Sequence, residues 1–400
     1  MRISTAHTYQ QAIESLQQRQ TDLVQSQSQL TSGKKVNVPS DDPIAAAQAE
    51  RALTSIGRAD ADTRALNASR NVMQIAESSM GDAVDLLQQA RESFISAGNA
   101  TYTDNERQSI AKKLQKIRTQ LLSVANRPDG NGGFVFGGQG SATPPFVDAP
   151  GGVQFIGQGG ELRAPASESM NLTVDGQNVW LKASQGNGVF VTAASPTNTG
   201  SSWITAGSVS DPRTNPYLTG TSSAPYAIAF QVSAGTTTYT INGGSPVPYK
   251  DGQAITVDGM TFTIKGVPAN ADQFTINPSQ KNLSVFDALD SAIKTLNTTG
   301  LNNGQITQAV NKGISDMDSV LSTVQGGRSA VGESLNTMAG IENRISSSKL
   351  AAQTAQSNAE DLDMTSAISA FQAKQSGYQA ALQSYSMVQK MSLFQYINAQ

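Results

Sequence analysis

Apolar residues in the first third of the chain recur every three or four positions, the spacing that keeps one stripe of a helix turned toward a partner helix. Between positions 9 and 30 the stripe reads Tyr9, Ile13, Leu16, Gln20, Leu23, Gln27 and Leu30. Its two glutamines weaken it, so this helix buries little on its own. Ser40-Asp41-Asp42-Pro43 then restarts a helix, with Asp42 suited to the N-cap and Pro43 to the first turn, where a missing N–H costs nothing. From Ala49 the stripe continues through Ala52, Ile56, Ala59, Thr63, Leu66, Ser69, Met73, Ala76, Met80, Ala83, Leu87, Ala90 and Phe94, and Gly98 is the natural stop. This pattern predicts a helix of about 54 residues, roughly 80 Å long. Thr103 and Glu106 form a capping box for a third helix striped by Ile110, Leu114, Ile117, Leu121 and Val124 and ended by Pro128. Lys112, Lys113, Lys116 and Arg118 lie off that stripe and are expected on a solvated face.

From 129 to 280 the pattern changes. Gly, Pro, Ser, Thr and Asn dominate and the apolar period falls to two. The clearest pair of strands is 254–264, where Asp258-Gly259 is a two-residue hairpin turn that sets Val257 opposite Met260 and Ile255 opposite Phe262. Further strands are expected at 171–175, 178–182, 188–192, 227–233, 236–241 and 273–277. Trp180 and Trp203 fall in this β-rich stretch and are expected to be packing residues.

Helix returns with Phe286, Leu289, Ile293 and Leu296 on one face. A long seam follows through Ile314, Met317, Leu321, Val324, Arg328, Val331, Leu335, Met338, Glu342 and Ile345. A terminal helix carries Met364, Ile368, Phe371, Gln375, Tyr378, Leu382, Tyr385 and Gln389. The expected fold class is α+β, with long N- and C-terminal helices forming a coiled-coil-like helical core and a β-rich middle domain inserted between them. Three regions are expected. Residues 1–40 and 360–400 form a terminal helical assembly region. Residues 41–165 and 281–359 form a helical core domain with a β-hairpin region. Residues 166–280 form an inserted, β-rich outer domain.

Composition narrows the function. Charged residues are 15% of the 400, against roughly 25% in ordinary soluble domains, and the net charge is −3. No stretch is basic enough to follow a phosphate backbone, so nucleic acid is not an expected partner. The chain has no cysteine and one histidine, His7, which leaves no thiol nucleophile, no Cys/His zinc site and no triad built on a histidine. Asp129-Gly130-Asn131-Gly132 opens like a calcium loop, but Gly140 stands where the bidentate glutamate belongs, so a turn is expected. Asp361 and Asp363 are two apart and do not share a helix face. No phosphate-binding loop or dinucleotide fingerprint occurs. No enzyme activity, cofactor or metal is therefore expected. The first seven residues have no apolar run after their charge, so a Sec signal is not expected, and no window is apolar enough to enter a membrane.

Several motifs together resemble a known family. Leu30-Thr31-Ser32-Gly33-Lys34-Lys35-Val36-Asn37, with Pro39-Ser40-Asp41-Asp42-Pro43, is similar to the N-terminal signature of flagellins and their junction relatives. Asn358-Ala359-Glu360-Asp361-Leu362-Asp363 and Met391-Ser392-Leu393-Phe394-Gln395-Tyr396-Ile397 resemble the matching C-terminal end. Phe134-Val135-Phe136-Gly137-Gly138 after the third helix, and Pro145-Phe146 with Phe155-Ile156-Gly157, resemble the hook-associated protein 3 (FlgL-type) branch. So does the module running from Asp251-Gly252-Gln253 to Asp272-Gln273-Phe274. The resemblance implies a structural role at the junction between hook and filament of the bacterial flagellum, with flagellin, the filament subunit, as the alternative. It implies export through the flagellar type III channel to an extracellular flagellum. Its implied partners are flagellin, the preceding hook-associated protein, copies of the chain in a ring, and an export chaperone. The expected assembly interface is Ile13, Leu16, Leu23, Leu30, Phe371, Tyr378, Leu382, Tyr385, Leu393 and Phe394, on terminal segments expected to order only on assembly.

Overall fold

In the computed structural model, residues 5–99 and 101–397 are described, with side chains described up to 387. The long helices are α1 (Thr5–Ser32), α2 (Pro43–Ala97), α3 (Asp104–Ala125), α6 (Val285–Asn297), α7 (Asn303–Glu360) and α8 (Met364–Ile397). Two short ones are α4 (Gly176–Trp180) and α5 (Pro216–Thr219). The chain forms two compact units, Met1–Arg64 with Ile341–Gln400, and Ala65–Gly340. Helices α2 and α7 each contribute to both.

The larger unit is built on the antiparallel pair α2–α7. Leu66, Met73, Ala76, Met80, Ala83, Leu87, Ala90 and Phe94 are all buried, the stripe expected from the sequence. The facing stripe of α7 differs from expectation. Met317, Val324, Val331 and Met338 are buried as predicted, but Leu321 and Leu335 are half-buried and Arg328 is exposed. The other seam positions fall one residue earlier, at Gly313, Val320 and Gly327. Gly313 sits where the Phe94 ring of α2 needs the room, and Gly327 where Val179 does. A Cβ on Gly313 would run into the Phe94 ring, and one on Gly327 would meet Val179 at 3.0 Å and the Met80 sulfur at 3.4 Å. Gly313→Ala is expected to cost about 1–3 kcal/mol through overpacking. An unchanged urea midpoint would show that the helices do not approach so closely.

Helix α3 starts at the capping box the sequence predicts. The Glu106 amide donates to Thr103 Oγ1 at 3.4 Å and the Thr103 amide to Glu106 Oε2 at 2.7 Å; the bonds that the Thr103 amide and hydroxyl donate to the Glu106 carboxylate lower its pKa. Leu114, Ile117, Leu121 and Val124 are buried, and α3 lies along α6. Hairpin β1 (Phe146–Ala149)–β2 (Gly152–Phe155) closes this region. An aromatic cluster gathers here. The Trp180 ring lies 5.4 Å from Phe136, 6.5 Å from Phe146 and 6.4 Å from Phe286. Trp180 thus serves the helical part, although residues 178–182 were expected as a strand of the outer domain. They form α4 and its cap instead, because Asp175 accepts the Gln177 amide and starts a helical turn.

Arg118 corrects another expectation. Lys112, Lys113 and Lys116 are exposed, but Arg118 is buried. It holds Asp148 of β1 through two bonds of 2.7 and 2.8 Å and pairs with Asp290 of α6 at 2.6 Å. Hydrogen bonding to Asp148 raises the guanidinium pKa and, reciprocally, lowers the Asp148 carboxyl below its usual range. A carboxyl with a lowered folded-state pKa stabilises the fold above its unfolded pKa, and that share is lost as pH falls through the folded value. Arg118→Met should cost about 2 kcal/mol at neutral pH, since water screens the half-exposed carboxylates. Its deficit against wild type should shrink below about pH 4, which urea melts at stepped pH would measure.

The β-rich part has two larger antiparallel sheets. One is ordered β4 (Phe190–Ala194), β12 (Gln273–Pro278), β7 (Tyr226–Ser233), β8 (Thr236–Ile241), β9 (Val247–Pro248). The other runs β10 (Ala254–Val257), β11 (Met260–Lys265), β5 (Trp203–Ile204), with β6 (Ser208–Val209) also on β11. The β10–β11 register sets Val257 opposite Met260 and Ile255 opposite Phe262, as predicted. Positive φ at Asp258 and Gly259, 44° and 73°, makes its two-residue turn. Phe190, Ile204, Ile228, Phe230, Ile255, Phe262, Phe274 and Ile276 share one core. Strand pair β3 (Ala183–Ser184)–β13 (Lys281–Leu283) ties the two ends of the insertion together. Helix α7 supports it as well, since the Ile204 amide donates to Gln308 Oε1 at 2.7 Å. Residues 171–175, expected as a strand, make only isolated bridges, Arg163 with Asn171 and Gly137 with Asp175.

Candidate assembly interface

The smaller unit brings the two signature motifs together. Helix α1 ends at Gly33, whose amide donates to the Gln29 carbonyl at 2.9 Å and whose φ of 72° is the left-handed cap that glycine suits. The chain leaving it meets the end of α7. The Lys35 amide donates to the Glu360 carbonyl at 2.7 Å, and the Leu362 amide to the Gly33 carbonyl at 3.0 Å. Lys34 Nζ pairs with Glu360 at 2.5 Å, and Lys35 Nζ donates to the Asn358 carbonyl at 2.7 Å. The two motifs are more than 300 residues apart in sequence, and their pairing carries no local signal. Asp41 and Asp42 finish the turn. Asp41 Oδ2 accepts the amides of Asn37 and Val38 at 2.9 and 3.1 Å, and Asp42 Oδ1 caps α2 through the amides of Ile44 and Ala45 at 3.0 Å. Asp363 caps α8 by accepting the Thr365 and Ser366 amides, and bonds from Ser366 lower its pKa.

This clip aims α1 and α8 along each other as an antiparallel pair. Lys374 Nζ donates to Ser26 Oγ at 2.7 Å near one end, and the Tyr9 and Tyr385 rings meet edge to face at 6.3 Å near the other. The segments expected to order only on assembly are therefore helical and paired here. Their pairing is incomplete. Leu16, Leu23, Leu30, Phe371, Tyr378 and Tyr385 are half-buried along the seam. Ile13 and Leu382 remain 42% and 43% exposed. Leu393 and Phe394 belong to α8, but their side chains lie outside the described residues. Leu16 and Tyr385, with Tyr9, Ala12, Arg19 and Ala381, line an open groove of about 250 Å³. Met364 and Ile368 of the terminal stripe are exposed as well, and Val24 and Met387 add exposed apolar surface that sequence reasoning did not single out. A helix apolar on several sides needs more than one neighbour to cover it.

Among the described residues no cluster of His, Cys, Asp or Glu is placed to hold a metal ion, and no helix is long and apolar enough to cross a membrane. Asp129 of the calcium-like loop is spent on its own backbone, its Oδ1 accepting the amides of Asn131 and Gly133 at 2.7 and 2.9 Å.

Comparison with known proteins follows the same lines. Residues 3–141 match the bacterial flagellin N-terminal helical region. Flagellar hook-associated protein 3 of Salmonella typhimurium is 27% identical over 399 residues, covering 99% of each chain. Its Escherichia coli counterpart is 32% identical over 174 residues, 44% of this chain and 54% of that one. The crystal structure of flagellar hook-associated protein 3 from Legionella pneumophila superposes with a TM-score of 0.69 at 23% identity, covering 76% of this chain and 97% of that one. Residues 3–141 thus match the flagellin N-terminal helical region, and the chain is similar along its whole length to flagellar hook-associated protein 3, the branch that its segments 134–138, 145–157 and 251–274 resemble.

Proposed function

We propose that this chain is a structural component of the bacterial flagellum, working at the junction between the hook side and the flagellin filament. The observation that carries this reading is the full-length likeness to hook-associated protein 3, since the flagellin match is confined to the shared N-terminal helical region. The α1–α8 pair is the assembly surface, and its exposed apolar residues meet neighbouring copies in a ring, the preceding hook-associated protein and flagellin. The β-rich insertion, 166–280 as read from sequence, faces outward. Export through the flagellar type III channel with a chaperone on the C-terminal helices brings the chain to an extracellular flagellum. Lack of cysteine suits a chain that travels unfolded, because no disulfide can trap it.

Deleting the gene tests the role. Cells should keep their hooks, lose their filaments and release monomeric flagellin. Filaments in normal number on the deleted strain would end the junction reading, and long filaments grown from the purified chain alone would make it a filament subunit.

A further inference from the structure

The sequence holds four Asn–Gly steps, Asn131–Gly132, Asn187–Gly188, Asn242–Gly243 and Asn303–Gly304. At such a step the glycine amide nitrogen meets no side chain of its own on its way to the asparagine Cγ, so a five-membered ring can close. Closure still requires the attacking nitrogen to come into a near-attack geometry, and the fold decides whether it can.

Three of the steps are held. Asn187 Oδ1 accepts the amides of Val189 and Phe190 at 3.0 and 2.9 Å, and its Nδ2 donates to the Gly207 carbonyl at 3.3 Å. Asn242 Oδ1 accepts the Ala227 amide at 2.7 Å, at the end of the β7–β8 hairpin. Asn303 begins α7, and Gly304 is buried against the Ser201 backbone, leaving its peptide no room to rotate. Asn131 differs. It is exposed, and among the described residues neither its side-chain amide nor the Gly132 N–H has a hydrogen-bond partner. A Cβ on Gly130 or Gly132 would meet nothing within 4 Å, so space around the step is open. The Asn131 amide is anchored to Asp129, which fixes one side of the step while the other side can turn.

We infer that Asn131 is a site of spontaneous deamidation in the folded protein. The Gly132 nitrogen, having lost its proton to water, attacks Asn131 Cγ. A new C–N bond forms, the Cγ–Nδ2 bond breaks and ammonia leaves, giving a succinimide. Water then opens the ring at either carbonyl, to aspartate or to isoaspartate. The first product places a second carboxylate beside Asp129. The second inserts an extra backbone carbon into the turn that the Asp129 amide closes on the Gly133 carbonyl at 3.0 Å. That turn leads into buried Val135 and Phe136.

The test is to incubate the full-length protein at mildly alkaline pH and follow all four peptides by mass spectrometry, with isoaspartyl methyltransferase labelling to identify the product. The Asn131 peptide should convert more than about tenfold faster than the other three, a difference of about one factor of ten in rate per 1.4 kcal/mol of barrier. Asn131→Gln should remove the early label. In strong denaturant the four rates should converge, because the local chemistry is the same and only the fold separates them. Similar rates at all four steps in the native protein, or a native ranking that persists in denaturant, would overturn the inference.

Discussion

Met80→Asp is expected to lose on the order of 3–5 kcal/mol of stability, a large fraction of what a typical domain possesses. Met80 is fully buried midway along α2, and a Cβ on Gly327 would meet its sulfur at 3.4 Å. Val179 lies beside the same glycine, and Met73 and Leu87 on the same stripe of α2 are buried and apolar. Arg328 is nearby but already committed to Glu77, at 2.6 Å. A carboxylate at position 80 would have to stay charged without a partner or take up a proton, and either route costs free energy. Met80→Leu is the control, since it keeps shape and polarity and should cost less than about 1.5 kcal/mol. Urea melts of the three proteins followed by circular dichroism measure both effects. An Asp variant melting with wild type would mean that α2 and α7 are not packed along this seam.

The second large effect concerns assembly. A chain lacking 1–38 and 364–400 should stay soluble and melt cooperatively, yet fail to support any filament. Ala65–Gly340 keeps its own core, including the α2–α7 seam, the aromatic cluster and both larger sheets. The removed helices meet each other through a seam that leaves Ile13 and Leu382 near half exposure. Ordering one residue costs roughly 1–2 kcal/mol of backbone entropy, and a few half-buried side chains return about 1.5–3 kcal/mol each only when fully covered. The pair alone is therefore marginal, and the proposed neighbours would supply the remainder. To separate joining from export, the truncated protein is best added purified, from outside, to hook-bearing cells of the deletion strain. Full-length protein should restore filament growth and the truncated one should not. Restoration by the truncated chain would place the joining surface elsewhere. Hydrogen exchange on the full-length monomer gives an independent readout. Amides of α1 and α8 should exchange much faster than those near Leu66 to Phe94, and equal protection would show a pair that is stable without partners.

Much of the helical architecture was legible because it is written in local periodicity. The α2 stripe, the stop at Gly98, the capping box at Thr103 and the 254–264 hairpin with its register all depend on residues close in sequence. What escaped depends on distant partners. Arg118 sits among solvated lysines and nothing near it signals burial; its partners are Asp148 and Asp290. Val179 and Leu181 flanking Trp180 read as a strand, whereas the Asp175 cap makes a helical turn. In α7 the seam was placed one residue late at alternate positions because a pattern of large residues cannot register glycines as contacts. For the assembly surface, both motifs and the terminal stripes were visible, but not their joining through Lys34, Lys35 and Glu360.

The two glycines of α7 bear on how the chain carries force. Gly313 and Gly327 lie fourteen residues apart, two heptads or about 21 Å of helix; Gly313 receives the Phe94 ring of α2, while Val179 of α4 lies nearest at Gly327, with the Met80 sulfur in ordinary contact. Sliding one helix along the other by a single heptad would carry Phe94 from Gly313 to Val320 or Ile306, where a branched side chain occupies the space. The pair is keyed at Gly313, and axial slip would have to drive the Phe94 ring out of its place. A pull or twist applied along α2 therefore passes to α7 as rigid-body motion rather than as creep between the helices. Under axial load such a strut holds its length, and any compliance falls to parts of the chain without that key.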